Sequence, residues 1–242
     1  MSVLSFVSFK GSPGVTTTVL GLAASWPRPV IALDLDPQGG DMLVGLGGGR
    51  VSATGGVVDV LAEARLGDLA GALGRHVIRP VKHGPLMLAG FGSSQAATAV
   101  DWRRTADQLG SFCGADLLVD CGRLAHGHPS TAILDCSAAA FVLTRSNLAA
   151  VRHVARSAPL LETSAAPLRL VVVGPGQPYD ADEIARACTL PIAAALPDDP
   201  AGARHWSGGV EPGARFHRGR LQRAFLLAAS RLAAPDHAGL QG

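Results

Sequence analysis

Charge is scarce in this chain. Asp, Glu, Lys and Arg together make up 17% of its 242 residues, and the formal net charge is only +2. A surface built to neutralise a nucleic-acid backbone carries a strong basic excess, so composition gives no reason to read one here. Cysteine is also sparse. Cys113, Cys121, Cys136 and Cys188 form no C-x-x-C pair, which argues against a disulfide or metal framework and for reduced, cytosolic thiols. No apolar run reaches the ~18 residues of a transmembrane helix. Residues 1–9 are apolar but have neither a basic leader region nor a long hydrophobic segment, so they read as a first strand and not as a signal peptide. The expectation is a soluble, cytoplasmic protein.

What is plentiful is aliphatic sequence. Hydrophobic residues are 48% of the chain, ample for one large domain over 1–234, with 235–242 as a frayed tail. Short apolar runs predict strands at 3–9, 30–35, 86–89, 117–119, 140–144, 168–173 and 192–196. Most are continuous rather than alternating, as in parallel strands buried on both faces. Helical periodicity fills the gaps at 16–24, 57–64, 102–109, 148–161, 181–187 and 220–234. This alternation predicts an α/β fold, a doubly wound, mostly parallel sheet with helices on both faces. Two glycine- and proline-rich stretches, 39–56 and 197–213, predict irregular loops.

Ligands of such sheets bind at the carboxyl ends of the strands, and three strand ends carry chemistry. The first is Lys10-Gly11-Ser12-Pro13-Gly14-Val15-Thr16-Thr17. It has the strand–loop–helix setting of a phosphate-binding loop, written G-x-x-x-x-G-K-[ST], with Val15 where the lysine stands. Glycines let backbone N–H groups crowd an anion, and a helix N-terminus adds positive potential. Thr16 occupies the position whose hydroxyl reaches Mg²⁺, and Thr17 is placed for a neighbouring phosphate. The second end is Asp34-Leu35-Asp36-Pro37-Gln38-Gly39. Alternation along a strand puts both carboxylates on one side, suited to orienting a water or the outer shell of magnesium; taken alone, a turn with solvated carboxylates is the better reading. The third is Leu117-Leu118-Val119-Asp120-Cys121-Gly122, an acid after aliphatics that supports Mg²⁺ in a Walker B pattern.

Taken in order, these segments resemble the MinD/ParA family of deviant Walker A P-loop ATPases. Lys10 matches the family's signature lysine, Asp34-Leu35-Asp36-Pro37-Gln38-Gly39 its second motif and Asp120-Cys121 its Walker B. Leu196-Pro197-Asp198-Asp199 is similar to the family's segment beside the base. The resemblance implies ATP or ADP with Mg²⁺ as cofactors and a nucleotide-driven homodimer with a further protein partner. Such switches position division, partition, pilus or secretion machinery. Carried over, Lys10 crosses to the other subunit's phosphates. Gly11, Ser12, Pro13, Gly14, Val15, Thr16 and Thr17 hold phosphate, Pro197 and Asp198 flank the base, Asp36 positions the attacking water, and Thr16 and Asp120 organise the metal.

The chain departs from the family at Val15, at Ser12 for a loop glycine, at Gly122-Arg123 where proline is usual, and at Val173-Gly174-Pro175 where the family often has Asn-Arg. These departures make it a degenerate member with weak or absent hydrolysis. They also suggest a pseudo-ATPase scaffold, in the manner of TadZ/CpaE-like pilus-localisation proteins. Arg123 and Arg145, just past strand ends, are candidates for replacement charge, with a solvated loop as the plainer reading. A metabolic enzyme of the same superfamily lacks support, since the cysteines show no bridging pair. The stripe Leu221, Ala224, Phe225, Ala228 and Leu232 predicts a last helix packed on the sheet. DNA and a membrane surface are the other partners considered for it, and the net charge supports neither.

Overall fold

The aliphatic runs form seven strands: β1 (Val3–Ser8), β2 (Val30–Asp34), β3 (Met87–Leu88), β4 (Asp116–Arg123), β5 (Ala139–Arg145), β6 (Leu168–Val173) and β7 (Ile192–Leu196). The computed structural model describes residues 1–10, 13–53, 55–65, 67–82, 84–125, 128–161, 165–176, 178–213 and 215–234. Gly11, Ser12 and the expected tail 235–242 lie outside these described residues. The strands pair in the order β3-β2-β4-β1-β5-β6-β7, and every pairing between them is parallel.

Alternate residues of each strand serve opposite faces. Leu4 and Phe6 of β1 enter one core and Val3 and Val7 the other. Onto the first face pack α1 (Val15–Ala24), α2 (Met42–Gly47), α10 (Pro200–Gly208) and α11 (Arg220–Leu232). Onto the second pack α3 (Val57–Ala64), α4 (Leu69–His76), α5 (Ser94–Thr98), α6 (Trp102–Gly110), α7 (Thr131–Asp135), α8 (Leu148–Ser157) and α9 (Ala181–Cys188). Burial on both faces is why the strands read as unbroken apolar runs. The last helix buries Leu221, Phe225, Ala228 and Leu232, as its stripe requires. Among the described residues no helix is long and apolar enough to cross a membrane.

Two expected loops are corrected. The stretch 39–56 contains α2, whose Met42 and Leu46 are buried and whose first N–H, on Met42, donates to Oδ2 of Asp34 at 3.0 Å. Tertiary burial and a carboxylate from another element hold a helix that its glycine content disfavours. The stretch 197–213 contains α10. Here the sequence did carry a start signal: Asp199 accepts from the Gly202 N–H at 2.9 Å, and Pro200 follows at the first helical position. The predicted helix 148–161 ends as an α-helix at Ser157 and continues as a 3₁₀ turn over Ala158–Leu161.

The two corrected helices meet at glycines. A Cβ on Gly209 would fall 2.3 Å from Cα of Gly48, and one on Gly45 would fall 3.1 Å from the Trp206 carbonyl oxygen. Side chains at these points would push α2 and α10 apart. Their contact roofs one side of a cleft at the carboxyl ends of the strands.

Candidate functional site

The cleft has a volume of about 1170 Å³, large enough for a ligand of cofactor size. β1 lies mid-sheet, and Pro13, Gly14 and the first turn of α1 line the cleft. Gly14 takes φ +93°, a left-handed conformation suited to glycine, and turns the chain into α1. No side chain caps that helix, so its first backbone N–H groups have no intrahelical acceptor. Pro13, Gly14, Val15, Thr16 and Thr17 all line the cleft. The site thus has the backbone half of an anion cradle. Val15 supplies no charge: it is buried and packs into the core of the α1 face. Lys10 is exposed and follows β1 without lining the cleft. The expected roles of Gly11 and Ser12 lie outside the described residues.

Toward β2 and β4 the cleft is acidic. Asp120, 1% exposed, accepts from Thr16 Oγ1 at 2.7 Å and from the Gly122 N–H at 2.9 Å. Burial is the largest influence on its pKa, and together with the neighbouring Asp36 and Asp41 charges it outweighs these hydrogen bonds, lifting the carboxyl to about 6. Asp36 lines the cleft, accepts from the Gln38 N–H at 2.9 Å, and is also raised by burial. Asp34 does not line it. β2 ends at Asp34, so strand alternation no longer ties Asp36 to the same side, and the expected pairing of the two carboxylates is corrected. Asp34 is instead the buried acceptor that holds α2, and burial followed by the Asp120 charge raises it to about 8.

Glycine is required where these groups meet. Gly122 has φ +66°, and a Cβ there would fall 2.2 Å from the Asp36 carboxyl. The β1–β4 register shifts at this point, turning Arg123 into the cleft. The departure from proline after the Asp-Cys pair therefore has a local reason.

Toward β6 and β7 the lining becomes apolar. Val173, Leu196 and Pro197 meet Trp206 of α10 and Phe225 of α11. The two rings lie 6.5 Å apart, edge to face. Asp198 closes this end through an ion pair with Arg145 at 3.0 Å. Arg145 is therefore paired, whereas Arg123 forms no ion pair among the described residues. Asp199 is committed to capping α10 through the Gly202 N–H.

An apolar end, a central cradle of N–H groups and an acidic end suit base, phosphates and cation in that order. The acidic end fits Mg²⁺ in particular. Its carboxyls are lifted chiefly by burial, with neighbouring carboxylates adding to the effect at Asp120, and a divalent cation would reverse that balance. Among the described residues no group of three His, Cys, Asp or Glu could hold a metal unaided. A cation at Thr16 and Asp120 would take further ligands from phosphate and water, the usual habit of Mg²⁺.

Sequence reasoning missed Trp206, Asp41 and His128, all of which line the cleft. Trp206 lay in a stretch read as loop. His128 stands eight residues beyond Asp120, outside any strand or helix, where periodicity is silent.

No protein-family model and no curated protein matches the sequence. Solved structures do match the fold. A septum site-determining protein MinD from Pyrococcus horikoshii, complexed with Mg-ADP, superimposes with a TM-score of 0.76 at 19% identity, covering 96% of each chain. A ParA family ATPase from Chlorobium tepidum gives 0.75 at 17% identity, covering 95% of this chain and 98% of that one. A single-residue variant of McdA from Cyanothece, in complex with ATP, gives 0.65 at 14% identity, covering 96% of each. The chain has the P-loop NTPase-like fold of MinD and ParA ATPases.

Proposed function

We propose that this chain is a degenerate MinD/ParA-type switch that binds ATP or ADP with Mg²⁺ in the cleft, dimerises with nucleotide and positions a cellular machine through a protein partner. The observation that carries this reading is the Thr16–Asp120 hydrogen bond at the uncapped start of α1, which joins the two segments that such a site requires. In this reading backbone N–H groups at Gly14, Val15, Thr16 and Thr17 bind the phosphates, and the base lies against Val173, Leu196 and Pro197. Bound Mg²⁺ would add positive charge beside the buried carboxyls, held by Thr16 and organised by Asp120. Asp36 orients the attacking water, and Lys10, exposed beside the loop, is free to reach a second subunit.

Val15 sets the strength of the site. A charge-assisted hydrogen bond contributes about 1.5–3 kcal/mol, so its loss weakens triphosphate binding roughly ten- to hundred-fold. Hydrolysis loses more, because phosphoryl transfer depends chiefly on electrostatic stabilisation. Arg123 at the cleft wall is the side chain placed to return part of that charge.

A second reading, a scaffold that localises a partner without nucleotide turnover, is favoured by the burial of Val15 in apolar contacts. Sedimentation velocity separates the two. The switch predicts a monomer that becomes a dimer with Mg²⁺ and a non-hydrolysable ATP analogue. An oligomeric state indifferent to nucleotide would favour the scaffold.

A further inference from the structure

His128 stands five residues beyond the end of β4, and 7% of it is exposed. Its Nδ1 lies 2.7 Å from Oγ of the fully buried Ser130. Ser130 occupies the N-cap position of α7, where a serine hydroxyl ordinarily accepts from a first-turn N–H, and it makes no such bond. Its hydroxyl is committed to the imidazole instead. The other ring nitrogen, Nε2, is buried and has no hydrogen-bond partner. Buried polar atoms are nearly always paired, and His128 lines the cleft, so its unpaired nitrogen points to a partner that arrives with the ligand.

The sheet order says which part of a nucleotide that is. The phosphate cradle follows β1 at mid-sheet, and the apolar end follows β6 and β7. His128 and Asp36 stand on the opposite side, beyond β4 and β2. A nucleotide with its base at the apolar end and its first phosphates on α1 projects its last phosphate toward His128.

We infer that Nε2–H of His128 donates a hydrogen bond to the terminal phosphate of a bound nucleoside triphosphate, so that this histidine tells triphosphate from diphosphate. The inference rests on the nucleotide-binding reading above. In the tautomer in which the Ser130 O–H donates to Nδ1, the proton sits on Nε2, and an imidazolium presents the same Nε2–H. The contact supplies a donor to the outer phosphate in a site where Val15 has removed one.

The test is calorimetric titration of Mg-ADP and of a Mg-bound imido analogue of ATP into wild type and His128→Ala. The expected result is a loss of roughly ten-fold or more for the analogue, with ADP affinity unchanged. Nitrogen-15 imidazole spectra of the wild type give a reading that does not depend on the variant's folding: the Nε2 resonance should move with the analogue and not with ADP. Equal losses for both nucleotides, or an Nε2 resonance indifferent to the analogue, would overturn the assignment while leaving nucleotide binding intact. A wild type that binds neither nucleotide overturns the nucleotide reading itself, and the inference with it.

Discussion

Thr16 Oγ1 donates a 2.7 Å hydrogen bond to Oδ2 of Asp120, tying the first turn of α1 to the buried stretch of β4. The bond sets a hydroxyl and a carboxylate side by side where α1 begins at the cleft. It also helps hold the Asp120 pKa down against burial. Thr16→Ala should abolish the dependence of ADP affinity on Mg²⁺, measured as the ratio of affinities with the metal and with EDTA. An unchanged ratio would remove Thr16 from the metal site.

Asp34 gives a pH signature. Its carboxyl is raised from the usual carboxylate range to about 8 in the folded protein. Between those limits the folded state holds a proton that the unfolded state has released. Stability is therefore greatest at low pH within this window and falls as pH rises toward 8, by up to about 1.4 kcal/mol per pH unit for one proton. Asp34→Asn keeps an acceptor for the Met42 N–H and removes the titration. Urea unfolding at pH 5, 6, 7 and 8 should show a flatter profile for this variant; parallel profiles would refute the assignment.

Gly122→Ala forces a Cβ into a left-handed residue and against Asp36. The backbone strain alone costs about 1–3 kcal/mol. Displacement of Asp36 should in addition slow nucleotide turnover more than it weakens ADP binding. Denaturant unfolding and paired kinetic and binding assays check both halves.

Arg28 is a stabilising contact remote from the cleft. Its guanidinium bonds Asp116 at the start of β4 and the Ala233 carbonyl after α11. Burial pushes the Asp116 carboxyl up, but Arg28, Trp26 and the Ser2 N–H outweigh it, and the net pKa is lowered. A carboxyl lowered on folding stabilises above its unfolded pKa and loses that contribution as pH falls through the folded one. Arg28→Ala should cost about 1–2 kcal/mol at pH 7, discounted for a guanidinium about one-third exposed. The difference from wild type should shrink below about pH 4.

All seven strands were legible in the sequence, because parallel strands buried on both faces must be apolar throughout. The helices with full apolar stripes, such as α6, α8 and α11, were equally legible. α2 was not, since its order comes from burial of Met42 and Leu46 and from a carboxylate on another strand, neither of which leaves a periodic trace in six residues. α10 was legible in its Asp-Pro start but masked by its glycines. Thr16, Asp36 and Asp120, which line the cleft, were legible because each stands at or just past the carboxyl end of an apolar run, although β4 itself continues beyond Asp120 to Arg123. His128 was not: its significance lies in an unpaired nitrogen and in a serine that forgoes a helix cap, which are properties of packing.

The central claim is that the cleft is a phosphate site weakened by Val15. Calorimetric titration of Mg-ADP and a Mg-bound ATP analogue into wild type and Val15→Lys tests it most directly. The account predicts measurable wild-type affinity that tightens roughly ten- to hundred-fold in the variant. A folded Val15→Lys protein that binds no better than wild type, or a pair that both fail to bind at millimolar nucleotide, would contradict it.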